Sequence, residues 1–162
     1  TSSFVPKPFT PFQWEAQDAI EVLKEKQKFL LEKIKSRYIR YNWHESELSL
    51  LEAVFARGDR KVCEVLIKAW EKGCKFDSWG EHFKFKEWME AFKECGVDPR
   101  FYANRKRSYD EIFPWDHIDI GVSKKHLIKE NEKAYRGELT PNCRDNCTGC
   151  GAAAFGGGIC VE

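Results

Sequence analysis

Cys143-Arg144-Asp145-Asn146-Cys147-Thr148-Gly149-Cys150 places three thiols within eight residues. Such short spacing lets one loop wrap a single ion or cluster. Thr148 and Gly149 leave backbone N–H groups able to point at the sulfurs, which stabilises thiolates. Cys160 is the candidate fourth ligand, reached across a stretch of small residues from Ala152 to Gly158 that can fold back. Zinc sites are usually built from paired C-x2-C halves, and only one such half is present. The spacing therefore favours an iron–sulfur cluster over zinc, which stays the alternative; the cluster expected is of the 4Fe–4S type. Cys63, Cys74 and Cys95 lie in helical or helix-end contexts and read as small core residues. Seven cysteines, four of them within the last twenty residues, point to metal ligation in a reducing, cytoplasmic compartment rather than to disulfides.

A second group of chemically capable residues is Trp115-Asp116-His117-Ile118-Asp119-Ile120-Gly121. It approximates the D-x-H-x-x-G loop whose His ligates the cobalt of cobalamin, but the register fails. Asp116 is adjacent to His117, and Gly121 lies one residue too far. His117 with Asp116 and Asp119 could form a substrate-facing cluster; in the other reading the Asp and His bond to backbone ahead of a helix cap at Ser123. Arg57 and Asp59, in Arg57-Gly58-Asp59-Arg60, are two further pocket candidates. The other reading has Asp59 capping a helix and Arg57 bonding terminal carbonyls. His44 and His82 read as structural histidines. Arg105-Lys106-Arg107 is a short basic run that could meet phosphate or water.

The elements that must hold these groups are mostly helices. The chain has 162 residues, 42% of them hydrophobic, with six Trp and twelve Phe, enough for a packed core. Twenty-seven basic residues against twenty-six acidic give a net charge of +1, no general ground for nucleic-acid or membrane-surface binding. No apolar run approaches the roughly 20 residues of a spanning helix. Residues 1–10 do not have the form of a secretory signal. Phe4-Val5 suggests a short strand, and the absence of an initial Met suggests a fragment or processed product. Thr10-Pro11-Phe12-Gln13 has the form of a capping box with Pro at the first helical position. Ala16, Ile20, Leu23, Gln27, Leu30, Leu31 and Ile34 follow at helical spacing. Ile39, Tyr41 and Trp43 alternate with polar residues as in a half-buried strand.

Five more helices are expected downstream. One is capped by Ser46, runs to Arg57 and is stopped by Gly58. A second runs from Arg60 to Lys72 and is stopped by Gly73, and a third from Phe85 to Cys95 is ended by Gly96. A short one opens at Asp98-Pro99. The last is capped by Ser123, stapled by Val122 and Leu127, and ended by Gly137. From Glu138 onward Pro, Asn, Gly and Cys dominate and the helical period disappears.

Several segments together resemble the C-terminal region of an uncharacterised branch of cobalamin-domain radical S-adenosylmethionine proteins, often described as Fe–S oxidoreductases. Phe4-Val5-Pro6-Lys7-Pro8-Phe9-Thr10-Pro11-Phe12-Gln13-Trp14 resembles the last barrel strand and following helix start of that family. Leu51 to Arg60, Phe76-Asp77-Ser78-Trp79, Arg107-Ser108-Tyr109-Asp110-Glu111 and Pro114-Trp115-Asp116-His117-Ile118 are similar to segments of the branch, and the cysteine tail resembles its C-terminus. Radical-generating clusters share the C-x3-C-x2-C spacing, but they precede most of their barrel and usually carry an aromatic where Gly149 stands. Only twelve residues follow Cys150 here, so the tail is expected to be an auxiliary site. The resemblance implies a parent chain in which S-adenosylmethionine, and in some members cobalamin, is bound outside these residues. Where family tails carry a further Cys soon after the last, Ala152 to Ala154 stand here.

The resulting expectation is a mainly α-helical accessory domain with one or two short strands and an irregular Cys-rich tail. Residues 1–14 would end the barrel, residues 15–137 would form the helical body, and residues 138–162 would form the tail. The expected partner is the rest of the parent protein with its substrate, and the fragment alone would be inactive. A zinc-bearing module that binds RNA or a protein through Arg105–Arg107 and exposed aromatics is the alternative, disfavoured by the near-zero charge.

Overall fold

A computed structural model describes residues 3–156 of the chain. It is all-α among those residues, with six helices and no strand. Contacts divide it into two compact units. The first comprises residues 3–6 and Ala16–Lys106, and the second Lys7–Glu15 and residues 107–156.

The first unit holds α1 (Ile20–Lys33), α2 (Ser46–Arg57), α3 (Lys61–Glu71), α4 (Phe85–Glu94) and α5 (Pro99–Ala103). Its core follows from helical spacing. Leu50, Ala53, Val54 and Arg57 fall on one face of α2, Val62, Val65 and Ala69 on one face of α3, and Trp88, Ala91 and Phe92 on one face of α4; all are buried. Leu51, Cys74, Tyr102 and Ala103 complete the cluster. In packing terms, α2 meets α5 and α1, and α3 meets α4. Asp98 caps α5, its side chain accepting from the Arg100 N–H at 2.9 Å, with Pro99 opening the helix.

Several local expectations are corrected. The capping box at Thr10–Gln13 opens no helix: residues 8–14 form turns, and α1 begins only at Ile20. Tertiary partners compete successfully for the intervening groups. The Gln17 N–H donates to the Ala103 carbonyl at 2.9 Å, and the Gln17 amide donates to the carbonyls of Phe4 and Ser49. Of the apolar residues on α1, only Leu23 is buried. Tyr41 and Trp43 do share a face, their rings stacked at 5.2 Å. Yet neither this segment nor Phe4-Val5 is a strand, because neither has a neighbouring strand with which to pair its backbone. Ser46 is the first residue of α2 rather than its cap, and makes no capping bond. Cys63 is exposed on α3, whereas Cys74 is buried and Cys95 half-buried.

Gly58 stops α2 for a different reason from the one expected. Its φ of −70° needs no glycine. A Cβ there would stand 2.8 Å from Val62 Cγ2 and 2.9 Å from the Val54 carbonyl oxygen. The missing side chain is what leaves room for Val62, at the start of α3, beside the Val54 carbonyl near the end of α2.

The second unit is built on fewer apolar groups. Trp14, Phe113, Trp115 and Leu127 form its core, edged by Phe9, Tyr109, Val122 and Ile128. Its one α-helix is α6 (Lys124–Arg136). Ser123 caps α6 by accepting from the His126 N–H at 3.2 Å, and Gly137 ends it in the left-handed region at φ 68°. Residues 138–151 are irregular, followed by a 3-10 turn at Ala152–Phe155. No helix among the described residues is long and apolar enough to cross a membrane.

Gly58→Ala should lower the stability of the first unit by about 1–3 kcal/mol, the usual cost of forcing extra volume into a packed junction. Urea unfolding followed by far-UV circular dichroism would show a lower midpoint, while a surface Ala substitution such as Lys86→Ala should leave it in place.

Candidate functional site

The second unit contains a cleft of about 470 Å³. Lys7–Glu15 supplies Phe9 and Gln13, the loop before α6 supplies Asp116 to Ile120, and the start of α6 supplies Ser123, Lys124 and Leu127. Gln13 organises one wall. It is 2% exposed, and its Oε1 accepts from the Phe9 backbone N–H and from Trp115 Nε1, each at 3.0 Å. The first of these bonds holds Phe9 at φ 56°, a left-handed conformation that an aromatic residue adopts only under constraint.

Asp116 and His117 line this cleft. Asp116 also has a structural task, because its Oδ2 accepts from the Phe113 N–H at 3.0 Å and lies 3.6 Å from Lys124 Nζ. Lys124 Nζ donates to the Glu111 carbonyl at 3.2 Å. Asp119 shapes the turn into α6 by accepting from the Gly121 N–H at 2.8 Å. The rim thus carries two carboxylates, an imidazole, an ammonium and a hydroxyl, enough to orient a polar ligand by charge and hydrogen bonding.

Cys150 is anchored beside the same loop. Its carbonyl accepts from the Ser123 N–H at 2.9 Å, at the residue that caps α6. Gly151 makes this approach possible. It sits at φ +101°, and a Cβ there would be 2.9 Å from the Gly121 carbonyl oxygen. The Ala152 N–H donates to Cys150 Sγ at 3.5 Å. A backbone N–H does therefore reach a sulfur, although from Ala152, two residues beyond Cys150, rather than from Thr148 or Gly149. The tail is tied down at its other end as well. Glu130 on α6 accepts from the Thr140 hydroxyl and from Lys133 Nζ, the latter at 3.1 Å, and Lys133 also reaches the Thr140 oxygen at 3.0 Å.

Between these two anchors the loop bearing Cys143 and Cys147 is open. Both thiols are exposed and Cys150 is half-buried. Among the described residues no three His, Cys, Asp or Glu side chains are gathered closely enough to hold a metal ion. Cys160 lies outside the described residues. Thiols suit zinc or an iron–sulfur cluster in chemical type, but in this arrangement they are not assembled into a site.

Arg57 and Asp59 belong to the first unit. Arg57 has no exposed surface, and its guanidinium donates to the carbonyls of Ala103 at 3.3 Å and Arg105 at 3.1 Å. Asp59 accepts from the Lys61 N–H and the Tyr102 hydroxyl, each at 2.9 Å. Both positions join α2 and α3 to α5. Gln13, Phe9, Lys124 and Gly151 were not singled out by sequence reasoning. Their roles depend on partners far along the chain, and a local pattern carries no trace of such pairings. No protein-family model matches the chain, and no curated protein or solved structure is significantly similar to it.

Two outcomes follow for the anchored tail. Hydrogen bonds from Thr140, and then from Lys133, hold the Glu130 carboxyl below its ordinary value of 4.5. This carboxylate should therefore contribute stability that is fully present above about pH 4.5 and is lost as pH falls through its lowered folded value. Carboxyl-carbon NMR should place its titration below 4.5, and Thr140→Ala should move it upward. Gly151→Ala should free Cys150, bringing its rate of alkylation, followed by peptide mass spectrometry, up to that of Cys143 and Cys147.

Proposed function

We propose that the chain is a C-terminal accessory region of a radical S-adenosylmethionine protein of the Fe–S oxidoreductase type, whose cysteine tail closes around an auxiliary iron–sulfur cluster. The observation that carries this reading is the anchoring of Cys150 to the capped start of α6. It holds one thiol of a C-x3-C-x2-C set beside a polar cleft, while the other two thiols stay on an open loop.

In this reading Cys143, Cys147 and Cys150 supply three thiolates and Cys160 the fourth. A bound cluster would supply one-electron transfer or a site for ligating substrate. Because the described thiols are apart, binding must draw the loop bearing Cys143 and Cys147 toward the fixed Cys150, so that metal affinity and ordering of the tail are one equilibrium. The anchors at Thr140 and Cys150 limit the length of chain that must be ordered, which reduces the entropic cost of closing. Asp116, His117 and Lys124 face the cleft next to Cys150 and would bind and orient a polar substrate there. Arg57 and Asp59 would act on the helical body, holding α5 in place. S-adenosylmethionine, and cobalamin where used, would bind elsewhere in the parent protein.

Anaerobic purification followed by iron, sulfide and zinc analysis tests this. Matched iron and sulfide with broad absorption near 400 nm (a general property of such clusters) are expected, as is their loss in Cys150→Ser. Zinc without iron would favour the zinc-bearing binding module instead. If reconstitution leaves no metal bound, both readings fail. The chain alone should release no 5′-deoxyadenosine from S-adenosylmethionine under reducing conditions.

A further inference from the structure

The loop between α3 and α4 in the first unit forms a hollow of about 310 Å³, lined by Phe76, Trp79, Glu81 and His82. Its rings stand at steep angles. The ring centres of Phe76 and Trp79 are 6.0 Å apart at 72°, and those of Phe76 and His82 are 6.2 Å apart at 57°. Neither Phe76 nor Trp79 fills a core, since they are 68% and 57% exposed. The loop nevertheless holds them in set places. The Trp79 N–H donates to the Phe76 carbonyl at 3.0 Å, the His82 N–H to the Trp79 carbonyl at 2.9 Å, and the Phe83 N–H to the Gly80 carbonyl at 3.3 Å. Phe76 itself sits at φ 60°, a costly left-handed conformation for an aromatic residue that gains no burial from it.

This hollow has everything for holding a cation except the cation. Exposed rings elsewhere are covered by the chain's own positive groups: Lys33 over Phe29 at 5.6 Å, Arg37 over Tyr38 at 4.9 Å, Lys75 over Trp70 at 5.4 Å and Arg105 over Phe101 at 4.4 Å. Among the described residues no cation lies over Phe76 or Trp79, and Lys75, next to Phe76 in the chain, turns to Trp70 instead. Glu81 is exposed and forms no ion pair among the described residues. Ring faces carry negative potential that attracts cations, and the carboxylate adds a full negative charge. A cation about 4.5 Å above the centres of two perpendicular rings leaves those centres about 6 Å apart, which is the spacing of Phe76 and Trp79. The walls then select the kind of cation. They offer few acceptors, so a primary ammonium would forfeit hydration without full replacement. A quaternary ammonium has no N–H to satisfy and presents methyl groups to the rings.

We propose that this hollow binds the trimethylammonium head of a small molecule of the choline type, held against Phe76, Trp79 and the imidazole of His82, with Glu81 supplying the countercharge. Its volume lies at the lower end of the range for small-molecule sites, which suits a compact head on a short chain. The assignment does not depend on metal binding by the cysteine tail.

Choline is the probe, and its uncharged carbon isostere 3,3-dimethylbutan-1-ol is the control. Each is titrated into the full chain at mildly alkaline pH and followed by the indole N–H signals in proton–nitrogen NMR. Choline should bind saturably, with a dissociation constant on the order of 1 mM, and move the Trp79 signal. The isostere should bind at least about tenfold more weakly, because it lacks the charge that the rings and Glu81 attract. Ethanolamine, with its primary ammonium, should also bind more weakly than choline. Trp79→Ala should abolish choline binding. Glu81→Lys, at an exposed position, should abolish it too by setting a cation of the chain beside the rings, and serves as a second variant if Trp79→Ala perturbs folding. Absence of saturable choline binding, equal binding of the isostere or of ethanolamine, or choline binding retained in Glu81→Lys would each overturn the proposal. So would a trimethyl-lysine peptide that bound far more tightly than choline, since the ligand would then be a protein.

Discussion

Burial of Trp14 is the constraint on which the cysteine-bearing unit depends. Its ring has no exposed surface; it meets Tyr109 edge-on at 5.0 Å and Phe113 at 6.2 Å. Its carbonyl accepts from the Arg107 N–H at 2.8 Å. The indole N–H is buried without a partner among the described residues, a cost of about 1–3 kcal/mol. A fully buried Trp removes about 150–250 Å² of surface from water, worth about 4–6 kcal/mol at the usual coefficient. Burial therefore outweighs the orphaned donor. Glu15 extends the same connection, accepting from Asn131 at 3.0 Å and from the Tyr135 hydroxyl at 2.5 Å on α6. Held in this way, residues 7–15 can offer Gln13 and Phe9 to the cleft wall.

Buried cations give the two units their specific joints. In the first, Arg57 is wholly enclosed and donates to the carbonyls of Ala103, the last residue of α5, and of Arg105 just beyond it. A guanidinium suits this because its donors spread in a fixed plane. In the second, Arg107 is 5% exposed, within 5.2 Å of the Phe113 ring centre and 5.8 Å of that of Trp115. Its Nε lies 3.8 Å from Glu111. Each arginine costs desolvation that only a full set of partners offsets, so each specifies one arrangement of its neighbours rather than simply adding stability.

The tail inherits its geometry from α6. Ser123 does two jobs, with its hydroxyl capping the helix and its N–H holding Cys150. The far end of α6 holds Thr140 through Glu130 and Lys133. A loop of exposed thiols held at both sides by one helix has little apolar surface with which to order itself. The helical body follows a different logic, since its stripes of Leu, Val, Ala, Trp and Phe supply their own driving force.

Helices with strong apolar spacing were legible in advance. The extents of α2, α3, α4 and α6 follow from residues three and four apart that must face one core, and the caps at Asp98 and Ser123 follow from side chains that reach only their own first turn. That three thiols lie close together in sequence was equally plain, because residue type and spacing are read directly. What the amino-acid order left undecided was every feature set by a distant partner. The box at Thr10–Gln13 gave way to Gln17 bonding to Ala103 and Trp14 entering a core built from residues 109–128. The alternation at Ile39–Trp43 formed no strand without a neighbour. Gly58 and Gly151 matter through what a Cβ would strike, and Gln13 through two donors, one of them 102 residues away. Local spacing determines which groups can act within a single turn. Tertiary packing alone decides which remote groups meet, because long-range contacts are selected by burial and polar pairing summed over the whole chain.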